Sequence, residues 1–285
     1  MKHQNYHWKS HDGLNIFAQS WLPDESPKAV VNFCHGLGDH SSRHNEWAAN
    51  FVNNGYAFSA LDLRGHGMSE GKRGHARNYE CFLKDFDLLV QNSKKLFPNK
   101  KMILYGHSMG GAIAINYTLS GKSKSDGLIV TSPWLKLAFD PSRLKQLTGR
   151  ALKPILPGLL QPTGLHGEHI TRSQEKVEKY LEDPLIHNKI SLKIFFDACF
   201  AGIRALNKAN DINVPVLLMH GSGDKITAHK ASVEFAGKNT EKVTLKIYDG
   251  CFHELHNEPE KDQVWRDILE WLEVSVSVKG EERRW

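Results

Sequence analysis

The pentapeptide Gly106-His107-Ser108-Met109-Gly110 has the residue types of a serine nucleophile and the turn that carries it. An apolar run at 102–105 precedes it and a run rich in alanine and isoleucine follows it, which predicts a strand, a sharp turn and a helix. Flanking glycines tolerate such a strained turn, which exposes the serine hydroxyl at the carboxyl edge of a sheet. The pattern alone is weak, and an ordinary glycine-rich turn is the alternative, but this context indicates a nucleophile.

A serine nucleophile needs a general base and an acidic residue that orients the base. Asp224 follows an apolar run at 214–219, and His253 follows another run at 244–248. Each therefore lies just past a predicted strand end, where open α/β sheets place their chemistry. The order Ser, Asp, His along the chain is typical of this architecture. We predict Ser108 as the nucleophile, His253 as the base and Asp224 as the residue that orients it.

His256 is the alternative base, because the segment HELH places it three residues after His253. We favour His253 because it lies closer to the strand end, and we expect His256 to have a packing role. Two histidines three apart also suggest zinc, but HELH lacks the HExxH spacing and the sequence offers no third ligand cluster. We therefore predict neither a metal nor an organic cofactor.

An anionic reaction intermediate needs N–H donors beside the nucleophile. The segment His35-Gly36-Leu37-Gly38 follows an apolar run at 29–34, so the backbone N–H of Leu37 is predicted to join that of Met109 at the start of the helix. We interpret His35 as a residue that orients this loop, not as a base. The segment 62–69, DLRGHGMS, is interpreted as a turn that braces the loop and not as a substrate contact.

Strands and helices are predicted to alternate around these motifs. Short apolar runs at 29–34, 57–61, 102–105, 128–131 and 214–219 indicate strands that are covered on both faces. Residues 79–97, 109–119 and about 263–274 are expected to be helices. Residues 6–22 alternate around Asp12-Gly13, which predicts an opening antiparallel hairpin. The sequence predicts an α/β fold, with a mostly parallel sheet covered by helices on both faces.

The stretch from Trp134 to Asn210 departs from this alternation, since it contains five prolines and no convincing buried strand. We interpret it as a helical cap (134–210) inserted into a core domain made of residues 1–133 and 211–285. Its leucines and phenylalanines give more apolar surface than a short insertion needs. Most are expected to pack on the core, some are predicted to line an acyl channel, and some to touch a membrane surface.

Composition excludes several classes of protein. The 37 Lys and Arg exceed the 32 Asp and Glu by five, but they are scattered, so we expect a solvated surface and no nucleic-acid partner. The first ten residues lack the pattern of a signal peptide, and no apolar run approaches the roughly 20 residues of a membrane span, so any membrane contact is expected to be peripheral.

The four cysteines are widely spaced, which favours reduced thiols in the cytoplasm. The sequence leaves open whether Cys251, two residues before His253, is a thiol whose modification obstructs the base or a buried inert one.

Six segments together resemble the monoacylglycerol lipase and lysophospholipase branch of the α/β-hydrolases: HGLGDHSSRH, DLRGHGMSEG, GHSMGG, DPLIHNKIS, GSGDKI and FHELHNEP. The resemblance extends over nearly the whole chain. It implies the same roles for Ser108, Asp224 and His253, with Leu37 and Met109 as oxyanion donors. It also implies that the cap is a lid over an acyl pocket.

The resulting hypothesis is a serine carboxylic ester hydrolase that releases a fatty acid from monoacylglycerol through an acyl-enzyme. Candidate acyl-pocket residues in the cap are Leu159, Phe195, Phe196 and Phe200. A lysophospholipase, another carboxylesterase, a thioesterase or an acyltransferase with the same residues is the alternative. A non-catalytic binding protein of the same fold is a further alternative, which the intact set of Ser, Asp and His disfavours.

Overall fold

The computed structural model describes residues 1–122, 124–140 and 143–276. Residues 277–285, which the sequence assigns to the core domain, lie outside it. The strands are β1 Lys2–Lys9, β2 Asn15–Leu22, β3 Ala29–Cys34, β4 Ala57–Leu61, β5 Lys101–His107, β6 Gly127–Thr131, β7 Leu160–Pro162, β8 Lys189–Ser191, β9 Val216–Gly221 and β10 Val243–Tyr248. The helices are α1 Asn45–Asn53, α2 Glu80–Leu96, α3 Met109–Leu119, α4 Arg143–Leu152, α5 Gln174–Glu182, α6 Leu192–Asn207, α7 His229–Lys238 and α8 Lys261–Val276.

Eight strands form one sheet in the order β1-β2-β4-β3-β5-β6-β9-β10. Strand β2 pairs antiparallel with β1 and with β4, and the remaining pairs are parallel. The predicted α/β fold and its opening hairpin are confirmed. Because parallel strands share a direction, the loops after β3, β5, β6, β9 and β10 all leave the same edge of the sheet.

Helices cover both faces of the sheet because neighbouring strand residues point to opposite sides and both sides are apolar. Leu217 of β9 belongs to the apolar cluster that includes residues of α1 and α8, whereas the next residue, Leu218, belongs to the cluster on the other face, with residues of α2, α3 and α7. In β1 the alternation leaves most side chains exposed, in keeping with its place at the edge of the sheet.

The segment between β6 and β9 contains α4, α5, α6 and a separate two-stranded ladder of β7 and β8. These two strands are only three residues long each, and apolar periodicity could not reveal them. Helix α6 packs against α3 through small and branched residues, including Ile194, Ala198, Ala201 and Ala205. The last helix of the predicted cap thus contributes to the main core, and the division at residue 210 stays a prediction. Within the described ranges, no helix is both long and apolar enough to cross a membrane.

Arg64 connects the opening hairpin to α2 through two ion pairs, of which the one with Asp85 is buried. Its guanidinium donates to both oxygens of Asp85, at 2.6 and 2.7 Å, and to Asp12 at 2.6 Å. Asp85 is 0% exposed and also accepts from Ser10 at 2.6 Å. The segment 62–69 therefore braces neighbouring elements, as its composition indicates.

Replacing Asp85 with Ala should destabilise the fold strongly, because it leaves a buried guanidinium with only the partly exposed Asp12 as counter-ion. We expect a loss of about 3–5 kcal/mol in the free energy of unfolding, measured with urea. The matched control on the same helix is Glu80→Ala, which removes an exposed ion pair with Lys122 and should cost less than about 1 kcal/mol. Equal losses in the two variants would contradict a structural role for the buried pair.

Candidate active site

Ser108 lies in the turn between β5 and α3 with φ 57° and ψ −120°, a backbone conformation that is strained for a residue with a side chain. The turn fits because its glycines allow close backbone contacts. A Cβ on Gly110 would lie 2.1 Å from the carbonyl oxygen of Cys34, and one on Gly106 would lie 2.3 Å from that of Gly110. The Ser108 N–H donates to the carbonyl oxygen of Thr131 at 3.0 Å, which fastens the turn to β6.

Asp224 lies in the loop after β9, and backbone groups hold its carboxylate. Oδ1 accepts from the N–H groups of Ile226 at 2.7 Å and Thr227 at 3.1 Å. Oδ2 accepts from the Thr227 hydroxyl at 2.8 Å and is 2.7 Å from His253 Nδ1. Burial acts to raise the pKa of this carboxyl, but His253 and the other hydrogen-bond donors outweigh it and hold the pKa far below its ordinary range. Asp224 is therefore ionised.

His253 lies in the loop after β10 and is almost fully buried. Because Asp224 carries no proton, His253 Nδ1 must donate in their hydrogen bond, which leaves Nε2 as the basic nitrogen. Burial lowers the pKa of His253, but the charge and hydrogen bond of Asp224 outweigh it, so the pKa is raised overall. A raised pKa strengthens the imidazole as a base.

The end of β6 ties the three loops together. The Ser132 hydroxyl donates to the carbonyl oxygen of His253 at 2.7 Å, and the Thr227 hydroxyl is 3.0 Å from the carbonyl oxygen of Ser132. Ser132 itself has φ 46°, another strained conformation next to the site. The positions of Ser108, Asp224 and His253 are thus coupled through one strand end.

A cavity of about 30 Å³ lies over Ser108 and is lined mainly by apolar side chains, among them Leu37, Trp134 and Ile190. It adjoins a second cavity of about 870 Å³. The two cavities share the wall residues Phe139, Thr163, Leu165, Phe195 and Ile226. The small cavity is therefore a neck between Ser108 and a larger chamber.

The structure places the predicted pocket residues unevenly. Phe195 lines both cavities, and Leu159 and Phe196 line the larger one. Phe200 lines neither of these two cavities, and its predicted place in the acyl pocket stays a prediction. It is 72% exposed and lines a surface groove one helical turn beyond Phe196.

The predicted oxyanion donors lie beside the nucleophile. Leu37 contributes to the neck, and Gly36 before it is so close that a Cβ there would lie 3.1 Å from Ser108 Cβ. Met109 is the first residue of α3, where the N–H groups have no partner within the helix. His35 joins this loop to its neighbour, because its Nε2 accepts from the N–H of Leu63 at 2.9 Å.

Comparison with known proteins agrees with this geometry. The Hydrolase_4 family model, described as serine aminopeptidase S33, matches residues 25–260. Human monoglyceride lipase is 35% identical over 96% of this chain and 92% of its own length. The crystal structure of Paleococcus ferrophilus monoacylglycerol lipase has a TM-score of 0.83 and 31% identity, covering 92% of this chain and 99% of that one. The chain belongs to the monoacylglycerol lipase branch of the α/β-hydrolases. An uncharacterized abhydrolase domain-containing protein of Dictyostelium discoideum is 36% identical over 93% of this chain. The matched region makes up 28% of the length of that protein.

In this α/β-hydrolase it is His253, and not His256, that reaches Asp224. The ring of His256 packs against the rings of His44, Trp47 and His107. Burial lowers the pKa of His256 to about 3, so it is neutral at ordinary pH. This surrounding suits the packing role expected for it.

Cys251 is fully buried, and burial raises the pKa of its thiol to about 12. Its Sγ lies 3.6 Å from Arg172 Nη2 and 3.4 Å from a carboxylate oxygen of Glu260. A thiol in this state is protonated and shielded from reagents. Of the two alternatives for Cys251, a thiol whose modification obstructs the base and a buried inert thiol, the structure favours the buried inert thiol.

Sequence reasoning missed three residues around the predicted catalytic residues, namely Ser132, Thr227 and His220. The Nε2 of His220 is 3.0 Å from Asp224 Oδ2. Thr227 had a signal, because an Asp side chain commonly accepts hydrogen bonds from backbone N–H groups a few residues further on in a local turn. Ser132 had none, since only its position at a strand end relates it to the other loops.

The two histidines of HELH should differ sharply when each is changed to alanine. His253→Ala removes the basic nitrogen and should slow the reaction of Ser108 with a fluorophosphonate probe by roughly three orders of magnitude. His256→Ala removes only a packed ring and should cause a much smaller loss. The rate of labelling at fixed probe concentration measures both, with thermal unfolding as the check on folding. The reverse order of effects would show that His256 is the base.

Proposed function

We propose that the protein is a monoacylglycerol lipase, which releases a fatty acid from its glycerol ester through an acyl-enzyme on Ser108. The observation that carries this proposal is a strained serine that lines an apolar neck, at the same edge of the sheet as an imidazole that is hydrogen-bonded to a buried carboxylate. The named activities of the human and Paleococcus relatives support the same substrate class.

The geometry supports the following sequence of steps. Ser108 Oγ attacks the ester carbonyl carbon while His253 Nε2 takes the hydroxyl proton. The N–H groups of Leu37 and Met109 stabilise the oxyanion, and Asp224 stabilises the imidazolium. His253 then donates that proton to the leaving glycerol oxygen, which leaves the acyl-enzyme. Water, deprotonated by His253, attacks the acyl carbonyl carbon. His253 then returns this proton to Ser108 Oγ as the bond to the acyl group breaks and the fatty acid leaves, so no metal or organic cofactor is needed for the proton or charge balance.

The larger cavity suits a single acyl chain. Its walls include Leu152, Leu159, Leu192, Phe195 and Phe196. Each methylene that enters such a wall contributes up to about 0.8 kcal/mol, so affinity should rise with chain length until the space is filled. The narrow neck at Ser108 also disfavours glycerol carrying two or three chains.

Peripheral contact with a membrane completes the proposal. The segment between β6 and β9 exposes several large apolar side chains, and we take them together as an exposed apolar patch: Leu147, Ile155, Leu156, Phe200 and Ile203. Arg150, Lys153 and Arg204 line the groove beside it. Apolar side chains flanked by basic ones suit a surface of acidic lipids, where a monoacylglycerol would be taken up.

Hydrolysis of a substrate panel tests the function directly. We expect monoacylglycerols to be cleaved faster than diacylglycerols, triacylglycerols and lysophosphatidylcholine, with rates that increase with acyl length. Ser108→Ala should lower turnover by several orders of magnitude while leaving thermal unfolding unchanged. Faster cleavage of lysophosphatidylcholine would favour the lysophospholipase alternative, and an active Ser108→Ala variant would refute the mechanism.

Two phenylalanines of α6 provide a matched pair of variants. Phe196→Asp polarises the wall of the larger cavity and should raise KM for long-chain monoacylglycerols much more than for acetyl esters. Phe200→Asp alters only the exposed patch, so it should leave hydrolysis of dispersed short esters unchanged but weaken co-sedimentation with anionic vesicles. If both variants changed KM alike, the assignment of cavity and surface would be wrong.

A further inference from the structure

A second imidazole reaches the carboxylate that holds the catalytic base. His220 lies in β9 and is 0% exposed. Its Nε2 is 3.0 Å from Asp224 Oδ2, the same oxygen that is 2.7 Å from His253 Nδ1. On its other side, His220 Nδ1 is 2.8 Å from the hydroxyl of Ser232, which is buried in α7.

The hydrogen-bond network assigns the proton of His220. Asp224 is ionised and can only accept, and the Thr227 carbonyl oxygen, 3.3 Å from Nε2, can also only accept. His220 Nε2 therefore carries the proton. Burial lowers the pKa of His220, so the ring is neutral and its Nδ1 accepts from the Ser232 hydroxyl.

The remaining contacts of Asp224 come from its own loop. Ile226 and Thr227, two and three residues further on, supply them, and this part of the loop is bonded in turn to Ser132 and to the segment that follows it. His220 differs, because it lies within β9 itself and is held by a helix on its far side. It fixes Asp224 directly to a strand of the sheet.

We infer that His220 is a positioning residue of this site: it holds Asp224 against β9 and shares Oδ2 with His253, so that it sets how strongly the carboxylate supports the base. The inference rests on the proposed function, since it concerns the same triad. His220 contacts neither the substrate cavities nor Ser108 among the residues that the structure describes.

Loss of the His220 hydrogen bond has two separable effects. With one donor fewer, more of the Asp224 charge acts on His253, so the imidazolium is stabilised and the acid limb of kcat/KM should move to higher pH. The less restrained carboxylate should also lower kcat. We expect a loss of roughly ten- to a hundredfold, which is the typical cost of removing a group that orients a functional histidine. A purely structural role would lower stability without moving the acid limb.

The other ionisable groups around His253 are unchanged between the unaltered enzyme and the His220 variants. Glu254 and Asp39 act on it in the same direction as Asp224. His107, whose ring centroid is 4.8 Å from that of His253, is kept neutral by burial, which lowers its pKa. On the far side, the ring of His229 is 6.4 Å from that of His220. None of these is altered by the variants below.

The test is the pH dependence of kcat/KM for a soluble p-nitrophenyl butanoate ester. In the unaltered enzyme the acid limb should lie above the ordinary histidine value of 6.5, because the pKa of His253 is raised. His220→Leu should move it upward by roughly half a unit to one unit. His220→Gln, which can still donate to Asp224, should restore most of kcat and return the limb towards its original position.

Two further variants make the outcome decisive. Ser232→Ala removes the hydrogen bond to His220 Nδ1 and so weakens, without abolishing, the hydrogen bond that His220 Nε2 donates to Asp224. It should shift the acid limb upward by a smaller amount, and this result decides the matter if His220→Leu does not fold. The control is His75→Leu, which removes a hydrogen bond of comparable length, 2.8 Å, between His75 and Ser191. This bond lies away from the triad, so its loss should leave the acid limb in place. An acid limb that is unmoved or lowered in His220→Leu, or in Ser232→Ala where His220→Leu does not fold, overturns the inference. Failure of the proposed function would instead appear as the absence of a Ser108-dependent rate in the unaltered enzyme.

Discussion

The hydrogen bond between Asp224 and His253 is the interaction on which the site depends, and it is costly to maintain. A carboxylate removed from water loses several kcal/mol of solvation unless other donors replace it. Here two backbone N–H groups, a threonine hydroxyl and two imidazoles serve as those donors. They can converge only because β6, β9 and β10 are neighbours and end at the same edge of the sheet. The parallel sheet is thus the means by which a buried charge is kept in place.

Much of this arrangement could be predicted because it follows from local pattern. Uninterrupted apolar runs identify the parallel strands, and strand ends identify the loops that carry Ser108, Asp224 and His253. The contact of Ser132 could not be predicted, since the alignment of neighbouring strands brings residues 132 and 253 together across more than a hundred positions of sequence. The contact of His220 with Asp224 spans only four residues, but it depends on the path of the turn after β9, which the apolar pattern of the strand does not describe.

Helix α6 shows why apolarity alone does not place Phe200. Large aromatic residues suggest the buried side of a helix, but in α6 the small residues Ala198, Ala201 and Ala205 belong to the main core, whereas Phe200 is exposed. A Cβ on Gly202 would lie 2.4 Å from the carbonyl oxygen of Trp134, so the segment after β6 also packs closely against this helix. The space between neighbouring elements therefore decides which side is buried, and that space cannot be deduced from the hydrophobic pattern of one helix.

The neck over Ser108 has a consequence for how access and selectivity are linked. Phe195 and Ile226 are among the side chains that line both the neck and the larger cavity. A substitution at either position therefore alters the route to Ser108 and the wall of the chamber together. The width of the entrance and the shape of the chamber are properties of the same side chains, and neither can be changed through these residues while the other is kept.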